Sequence, residues 1–340
     1  MSVKLAVVGA TGSVGREILV SLAEADLVPA ANVVALASDR SVGSEVSFGE
    51  DDDLTVQALN GFDFAGIDYA FFAIDARTAK KEVKRAVEAG AMVIDCSDAF
   101  RLEPGVPLVV PGVNDAALGQ MKKNICANPS ALAILLACVL KPLQAAVPIK
   151  RVVVSSYQPV SGAGRQAMDE LFTQTRGVYV NDLPTKEHFP KQIAFNVIPQ
   201  VGAFESDGYT EEEATLAGET RKLVGPDIAL TATCVRVPVF IGQAAAVTVE
   251  FEGALTATAA RDLWKKTPGL SVIDHRADEG YVTPVESAGD DLVFVSRVRD
   301  DKTVPHGISF WCVTDNTRKG GGLNAVQILE SLLKARKKKA

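Results

Sequence analysis

A glycine-rich turn lies close to the start of the chain: Gly9-Ala10-Thr11-Gly12-Ser13-Val14-Gly15. Glycines spaced this way let backbone N–H groups approach a phosphate, and a helix beginning at the turn adds partial positive charge. The spacing is GxxGxxG, not the stricter GxGxxG, so it also suits a tight turn closing a helix against a strand. Its place directly after the first apolar run favours a dinucleotide, held by Gly9, Thr11, Gly12, Ser13, Val14 and Gly15. The second apolar run ends in Ser38-Asp39-Arg40-Ser41. An acidic residue there suits a ribose 2′-OH, whereas an arginine suits a 2′-phosphate. Arg40, with the hydroxyls of Ser38 and Ser41, points to NADP; Asp39 argues the other way.

Nucleophiles and bases are sparse. The five cysteines, Cys96, Cys126, Cys138, Cys234 and Cys312, are odd in number, widely spaced and without a CxxC pair. This argues against a disulfide framework or a zinc site and for a reducing compartment. Cys138, Cys234 and Cys312 sit in apolar runs and read as core thiols; Cys126 reads as the end of a buried strand. Of the three histidines, His188 and His275 lie in polar stretches and His306 precedes a strand. No metal site is expected.

The elements that must position these groups follow from hydrophobic periodicity. Residues 3–8 and 32–37 read as buried parallel strands joined by a helix to about Ala25. Further strands are expected at 69–74, 92–95 and 108–110, with a helix over 78–89. Strands alternating with helices imply a parallel sheet covered on both faces. After about residue 130 the character changes. A helix over 131–140 is apolar all round and should be buried, and longer strands are expected at 151–158, 229–239, 245–251 and 292–299. A last helix spans 322–337. The predicted architecture is α/β: a Rossmann-type dinucleotide-binding domain of residues 1–130 plus 317–340, and an α+β dimerisation and catalytic domain of residues 131–316 with a large mixed or mostly antiparallel sheet.

The 340 residues carry a net charge of −7 with 47% hydrophobic content. The composition suits a soluble globular protein, and the charge argues against nucleic acid or anionic membrane as partners. The basic run Lys334-Ala335-Arg336-Lys337-Lys338-Lys339 suits the negative end of a helix dipole. No signal peptide is read, and the longest apolar span is too short to cross a bilayer. A cytoplasmic protein is expected.

Read in order, several motifs are specific. GATGSVG, LASDRS, Ser97-Asp98-Ala99-Phe100-Arg101, the stretch from Tyr157 to Gly164 (YQPVSGAG), IAFNVIP at 193–199, VRVPV at 235–239, and DNTRKG with LNAVQ at 315–327 resemble the aspartate-β-semialdehyde dehydrogenase family over essentially the whole chain. The resemblance implies a two-domain homodimer that reduces aspartyl phosphate to aspartate semialdehyde with NADPH, a step toward lysine, methionine and threonine. Written in the oxidative direction, a cysteine thiolate attacks the aldehyde, hydride passes to NADP, and phosphate cleaves the thioester while a histidine moves protons. The thiolate belongs at a helix N-terminus, where the dipole lowers its pKa. By the same resemblance Arg101 matches a phosphate-site arginine, Arg236 the arginine for the substrate carboxylate, Gln158 an orienting glutamine, and Glu212 a glutamate for the substrate amino group. Asn128 belongs to the nucleophile loop, and Asn316, with Gly162 of the YQPVSGAG stretch, falls to the cofactor side.

The chain departs from the pattern where the chemistry is concentrated. The nucleophile motif A-N-P-N-C reads Ala127-Asn128-Pro129-Ser130-Ala131, and the base position after VRVPV is Gln243. A methyl group forms no thiohemiacetal, and glutamine exchanges no proton near neutral pH. Leu132, Thr215 and Gly112 depart with them. Asp75 stands in a loop where the family keeps small residues, and its charge opposes a diphosphate. Three functions are therefore weighed: a non-catalytic family member, pairing with itself or with an active paralogue; an NADP(H)-dependent oxidoreductase acting on another small anionic carbonyl without a thioester; and a true dehydrogenase whose cysteine has relocated, with Cys126 the nearest candidate.

Overall fold

The computed structural model describes residues 3–181 and 186–337, which fall into two compact units, Met1–Ser130 with Gly321–Ala340 and Ala131–Gly320. In the first unit, β1 (Leu5–Val8) is buried at every position, as a parallel strand covered on both faces must be. It leads through the glycine turn into α1 (Ser13–Glu24) and β2 (Val33–Ala37). A hairpin of β3 (Glu45–Phe48) and β4 (Asp52–Thr55) precedes β5 (Gln57–Ala58), and then come β6 (Tyr69–Phe72), α2 (Ala76–Glu88), β7 (Met92–Asp95) and β8 (Ile125–Ala127). The six-stranded sheet runs β5-β2-β1-β6-β7-β8 and every pairing is parallel. Its order reverses beside β1, whose neighbours are β2 and β6. Ligands of doubly wound folds bind at such a switch point.

The expected strand over 108–110 is not formed. Only one bridge survives, between Leu108 and Ala127. Pro107 and Pro111 bracket the segment and lack the N–H that would extend a ladder. The Asn114 side chain takes up two further groups: it accepts from Val110 N at 2.9 Å and donates to Leu108 O at 2.8 Å.

The second unit begins with α3 (Ala131–Ala146), continues through β9 (Ile149–Gln158), α4 (Arg165–Tyr179), α5 (Glu211–Leu223), β10 (Ala229–Arg236), β11 (Gln243–Phe251), α6 (Ala257–Lys265), β12 (Leu270–Val272), the short α7 (Pro284–Ser287), β13 (Val293–Asp300) and β14 (Gly307–Thr314), and ends in the turn Arg318–Gly322. Its six-stranded sheet runs β10-β9-β11-β14-β13-β12. The outer pairs are parallel and the inner ones antiparallel, so the sheet is mixed. α3 packs against the sheet and against α5 and α6. Enclosure on several sides explains why its sequence is apolar all round. Trp264 of α6 is fully buried there and donates its indole N–H to Val139 O at 2.8 Å.

After the second unit the chain returns to the first as α8 (Leu323–Lys337). α8 buries Ala325, Val326, Ile328 and Leu329 in one core with Leu5, Val7, Ile18 and Leu22. Lys338 and Lys339 of the basic run lie outside the described residues.

Candidate active site

The glycine turn is built for close backbone approach. Gly9 has φ +87°, and a Cβ there would lie 2.2 Å from Ala73 O; a Cβ at Gly15 would lie 2.1 Å from Gly9 O. Gly12 is the N-cap of α1, no side chain caps the helix, and no acidic residue lies in its first turn. The helix therefore presents its orphan N–H groups and partial positive charge with no side-chain cap among the described residues. This is a cradle that a pyrophosphate fits. Ser38, Arg40 and Ser41 follow β2 on a short 3-10 turn. Arg40 is exposed and forms no ion pair among the described residues.

Asp75 has a structural role. It is the N-cap of α2 and its Oδ1 accepts from Thr78 N at 3.0 Å. That backbone hydrogen bond, with the Thr78 hydroxyl, holds its carboxyl below the usual range, so the group is ionised at neutral pH.

Arg101 and Asn128 are engaged inside the first unit. Arg101 donates to Asn128 O at 3.2 Å and to Cys96 O at 3.3 Å. Asn128 is 2% exposed; its amide donates to Gly321 O at 3.4 Å and accepts from Asn324 Nδ2 at 2.7 Å. Beside them Asp95 is wholly buried and accepts both its side-chain hydrogen bonds from Ser97 Oγ, at 2.9 and 2.8 Å. Burial pushes its pKa from 3.8 up to about 6, against the opposing effects of Ser97 and then Arg101. The folded state thus binds this proton more tightly than the unfolded chain. The stability Asp95 contributes is complete below pH 3.8 and is lost as pH rises through about 6. Asp95→Asn is expected to remove that slope and to gain on the parent by on the order of 2 kcal/mol at pH 8. Urea melts from pH 5 to pH 8 would show it; parallel pH profiles for the two proteins would refute it.

In the second unit the strand register collects polar residues at one end of the sheet. Arg236 closes β10 opposite Gln158, which closes β9. Gln243 opens β11 one step beyond the Ala244–Tyr157 pair and opposite Thr314 of β14. Arg236, Gln158 and Gln243 are 8, 5 and 4% exposed. Gln158 donates to Glu212 Oε1 at 3.2 Å. Glu212 lies on the first turn of α5, and Thr215, one turn on, shares its face. Arg236 donates to Pro159 O at 2.7 Å and forms no ion pair among the described residues. Burial lowers its pKa, the nearby Glu212 charge opposing. A buried guanidinium with unused donors favours an anion.

A turn at Val160–Ala163 ties this row together. A Cβ on Gly162 would lie 3.0 Å from Arg236 Nη1. Ser161 Oγ accepts from Asn316 Nδ2 at 3.0 Å, and Asn316 Oδ1 accepts from Gly242 N at 3.0 Å. Ser161 and Gly242 are supports that residue type alone did not single out. Asp315 shapes the next turn by accepting from Thr317 N, Arg318 N and Gly289 N at 2.7, 3.0 and 2.8 Å.

Ala131 is the first residue of α3 and half-buried. A Cβ on Gly320 would lie 2.9 Å from its Cβ. Cys126 is 0% exposed within β8. Burial raises the thiols of Cys138, Cys234 and Cys312, that of Cys234 to about 12. His188 and His275 are exposed. His306 precedes the first residue of β14, whereas Gln243 pairs with its last; the two ends are about 25 Å apart. No described cluster of His, Cys, Asp and Glu could hold a metal, and no described helix is long and apolar enough to cross a membrane. Gly112, at φ +82°, is exposed and donates to Asp115 Oδ2 at 2.6 Å.

Two family models cover most of the chain: the NAD binding domain of semialdehyde dehydrogenase matches residues 4–121, and the dimerisation domain matches residues 140–319. The aspartate-semialdehyde dehydrogenase of Rickettsia bellii is 44% identical over 97% of both chains, and that of Aquifex aeolicus is 43% identical over 98% of this chain and 99% of the other. The crystal structure of aspartate semialdehyde dehydrogenase II from Vibrio cholerae complexed with ASA is 39% identical. It superposes with a TM-score of 0.94 over 98% of this chain and 99% of that one. With both family models matched and relatives above 40% identical along nearly its whole length, the chain belongs to the aspartate-semialdehyde dehydrogenase family.

Proposed function

We propose that this protein is an NADP-binding homodimer of the family that does not perform the family's thioester reaction. The observation that carries the reading is Ala131 on the first residue of α3, where the motif alignment puts the nucleophile. A thiolate there would draw on the helix dipole; a methyl group has nothing to ionise. Gln243 stands where the alignment puts the proton-transferring histidine. A relocated nucleophile is disfavoured, since Cys126 is fully buried in a strand and lacks the field that activates a thiol. The deciding test is NADP reduction with aspartate semialdehyde and phosphate at high protein concentration.

When bound, NADP would supply or accept hydride. Gly9, Thr11, Gly12, Ser13, Val14 and Gly15 would take its pyrophosphate and Ser38, Arg40 and Ser41 its 2′-phosphate. Arg40→Ala is expected to weaken NADP binding about 10-fold or more, the worth of one charge-assisted hydrogen bond, and to leave NAD unchanged. Asp75→Asn keeps the helix cap and removes the charge. It is expected to strengthen both nucleotides about fivefold. Fluorescence titration of both variants checks this; equal loss of NAD and NADP in Arg40→Ala would defeat the NADP assignment.

Self-association is supported by the match to a dimerisation domain and by exposed Tyr179, Val180, Phe195, Val197 and Phe204 in that unit. The Tyr179 and Phe195 rings lie together, their centroids 5.8 Å apart, and exposed apolar groups that cluster mark interaction surfaces. An active paralogue could use the same surface; a tagged pull-down recovering only this chain would count against that pairing. A second reading, direct hydride transfer to another small anionic carbonyl, is favoured by the buried Arg236, which has no ion pair among the described residues. NADPH oxidation with a small oxo acid would support it, and silence across a broad panel would reject it.

A further inference from the structure

A groove of about 1080 Å³ opens in the second unit, between the start of α6, the loop from Asp274 to Tyr281 and the turn that follows β13. That turn leads to Gly307, whereas Gln243 pairs with Thr314 at the other end of β14. The groove is framed by rigid backbone. His275 N donates to Gly280 O at 3.1 Å and Gly280 N to Ala277 O at 3.2 Å, which closes the loop on itself. A Cβ on Gly280 would lie 2.2 Å from His275 O. Arg297 and Arg299 line the groove from the bulge of β13. Arg297 has φ +57° and Glu279, on the loop, φ +64°. Left-handed backbone at residues other than glycine is costly and gathers at ligand sites. The carboxylates and cations of the groove differ in what already holds them. Asp274 accepts from Arg261 Nε at 2.5 Å and from Val298 N at 3.2 Å, Asp300 from Ala257 N at 2.7 Å, and Asp301 from Thr303 N at 2.9 Å. Arg276, Arg297 and Lys302 are exposed, and their side chains form no hydrogen bond or ion pair among the described residues. Arg299 uses Nη1 on Arg297 O at 2.8 Å. Four cations from three elements thus face two uncommitted carboxylates, Asp278 and Glu279. This local surplus of positive charge sits in a chain of net charge −7.

We propose that this groove binds a small molecule carrying a diphosphate, with Arg276, Arg297, Arg299 and Lys302 as its anchors. Guanidinium forks meet phosphate oxygens two at a time, and the lysine adds a point charge. Donors that arrive from three elements suit tetrahedral groups, whose oxygens point in several directions, better than a planar carboxylate. The hydroxyls of Thr258 and Tyr281 line the same space. Tyr281 is 44% exposed and offers its ring to a base carried on the diphosphate. No bond is made or broken. The site lies wholly in the second unit, whereas the glycine turn belongs to the first, and it does not depend on whether the thioester reaction occurs.

The probes are inorganic pyrophosphate, ADP and citrate, a polycarboxylate of similar charge, each added to the full-length protein. Hydrogen exchange read by mass spectrometry locates binding, and calorimetry measures it. Pyrophosphate is expected to slow exchange over residues 274–281 and 296–303, the segments that frame the groove, and to bind about 10-fold more tightly than citrate. Arg276→Gln and Arg297→Gln are each expected to weaken pyrophosphate about 10-fold, the worth of one charge-assisted hydrogen bond. Both side chains are exposed, so the variants are expected to melt as the parent does. Asp278→Asn combined with Glu279→Gln removes the opposing charges and is expected to strengthen pyrophosphate about fivefold, an effect that weakens as salt is added. ADP identifies the source of the diphosphate. An ADP affinity about fivefold or more above that of pyrophosphate, lost in Tyr281→Ala, assigns a nucleotide; equal affinities assign a diphosphate without a base. Three results overturn the proposal: unchanged exchange in both segments at high pyrophosphate, citrate bound as tightly as pyrophosphate, or parental affinity in both arginine variants.

Discussion

NADP reduction by the parent protein with aspartate semialdehyde and phosphate is expected to stay at the rate without protein, and Cys126→Ser is expected to leave it there. The step to be catalysed needs a sulfur that adds to the aldehyde, holds its carbon as a thiohemiacetal while that carbon gives up hydride, and leaves as a thiolate when phosphate cleaves the thioester. Ala131, at the first residue of α3, supplies no such atom, and burial pushes up the thiols of Cys96, Cys138, Cys234 and Cys312. Ala131→Cys would put a thiol in the field of the α3 N-terminus, which favours its ionised form. That variant is expected to trap the aldehyde as an adduct visible by mass spectrometry but to turn over slowly, because Gln243 moves no proton. Adding Gln243→His is expected to raise its rate by about 10²- to 10⁴-fold, the usual worth of a positioned acid–base group. Thr215, Asp75 and Gly112 remain altered, so full family activity is not expected. Robust turnover by the parent would falsify the whole reading.

Gly15→Ala is expected to destabilise the first unit by about 3 kcal/mol and to abolish nucleotide binding. Its Cβ would fall 2.1 Å from Gly9 O, 2.7 Å from Gly9 C and 2.9 Å from Ala10 Cα. All three contacts are backbone of the turn itself, so no side-chain rotation relieves them, and α1 would have to move off β1. Gly12→Ala is the informative contrast. Its Cβ would meet only Gly9 O, at an ordinary 3.4 Å, and Gly12 already has φ −77°. The fold should melt as the parent does, while the methyl group fills space where the pyrophosphate approaches, weakening NADP by about tenfold or more. Melting curves and nucleotide titrations on both variants separate the two roles. A Gly15→Ala protein as stable as its parent would mean that the turn is looser than these contacts require.

Much of this protein could be read along the chain because the relevant signals are local. Continuous apolar runs at β1 and β6, the 3.6-residue pattern of α2, and the glycine turn between β1 and α1 each depend on residues a few positions apart. The absence of a thiol at 131 and of an imidazole at 243 is likewise a matter of residue identity once the flanking motifs set the register. Hydrogen-bond partnership is decided elsewhere. The run Leu108–Val109–Val110 has strand composition, but the flanking prolines and the Asn114 side chain deny it a ladder. Asp75 looked like a charge aimed at a ligand, and it caps α2. Asn128 finds its partner 196 residues away, in Asn324. The same bookkeeping, in reverse, exposes the site: among the described residues Arg236 is buried without an ion pair and the Gln243 Nε2 without a partner. Residue types and spacing determine which groups this chain has to offer. Only the packed structure decides which of them are already spent on the protein and which are left for a ligand, because burial removes water as the alternative partner.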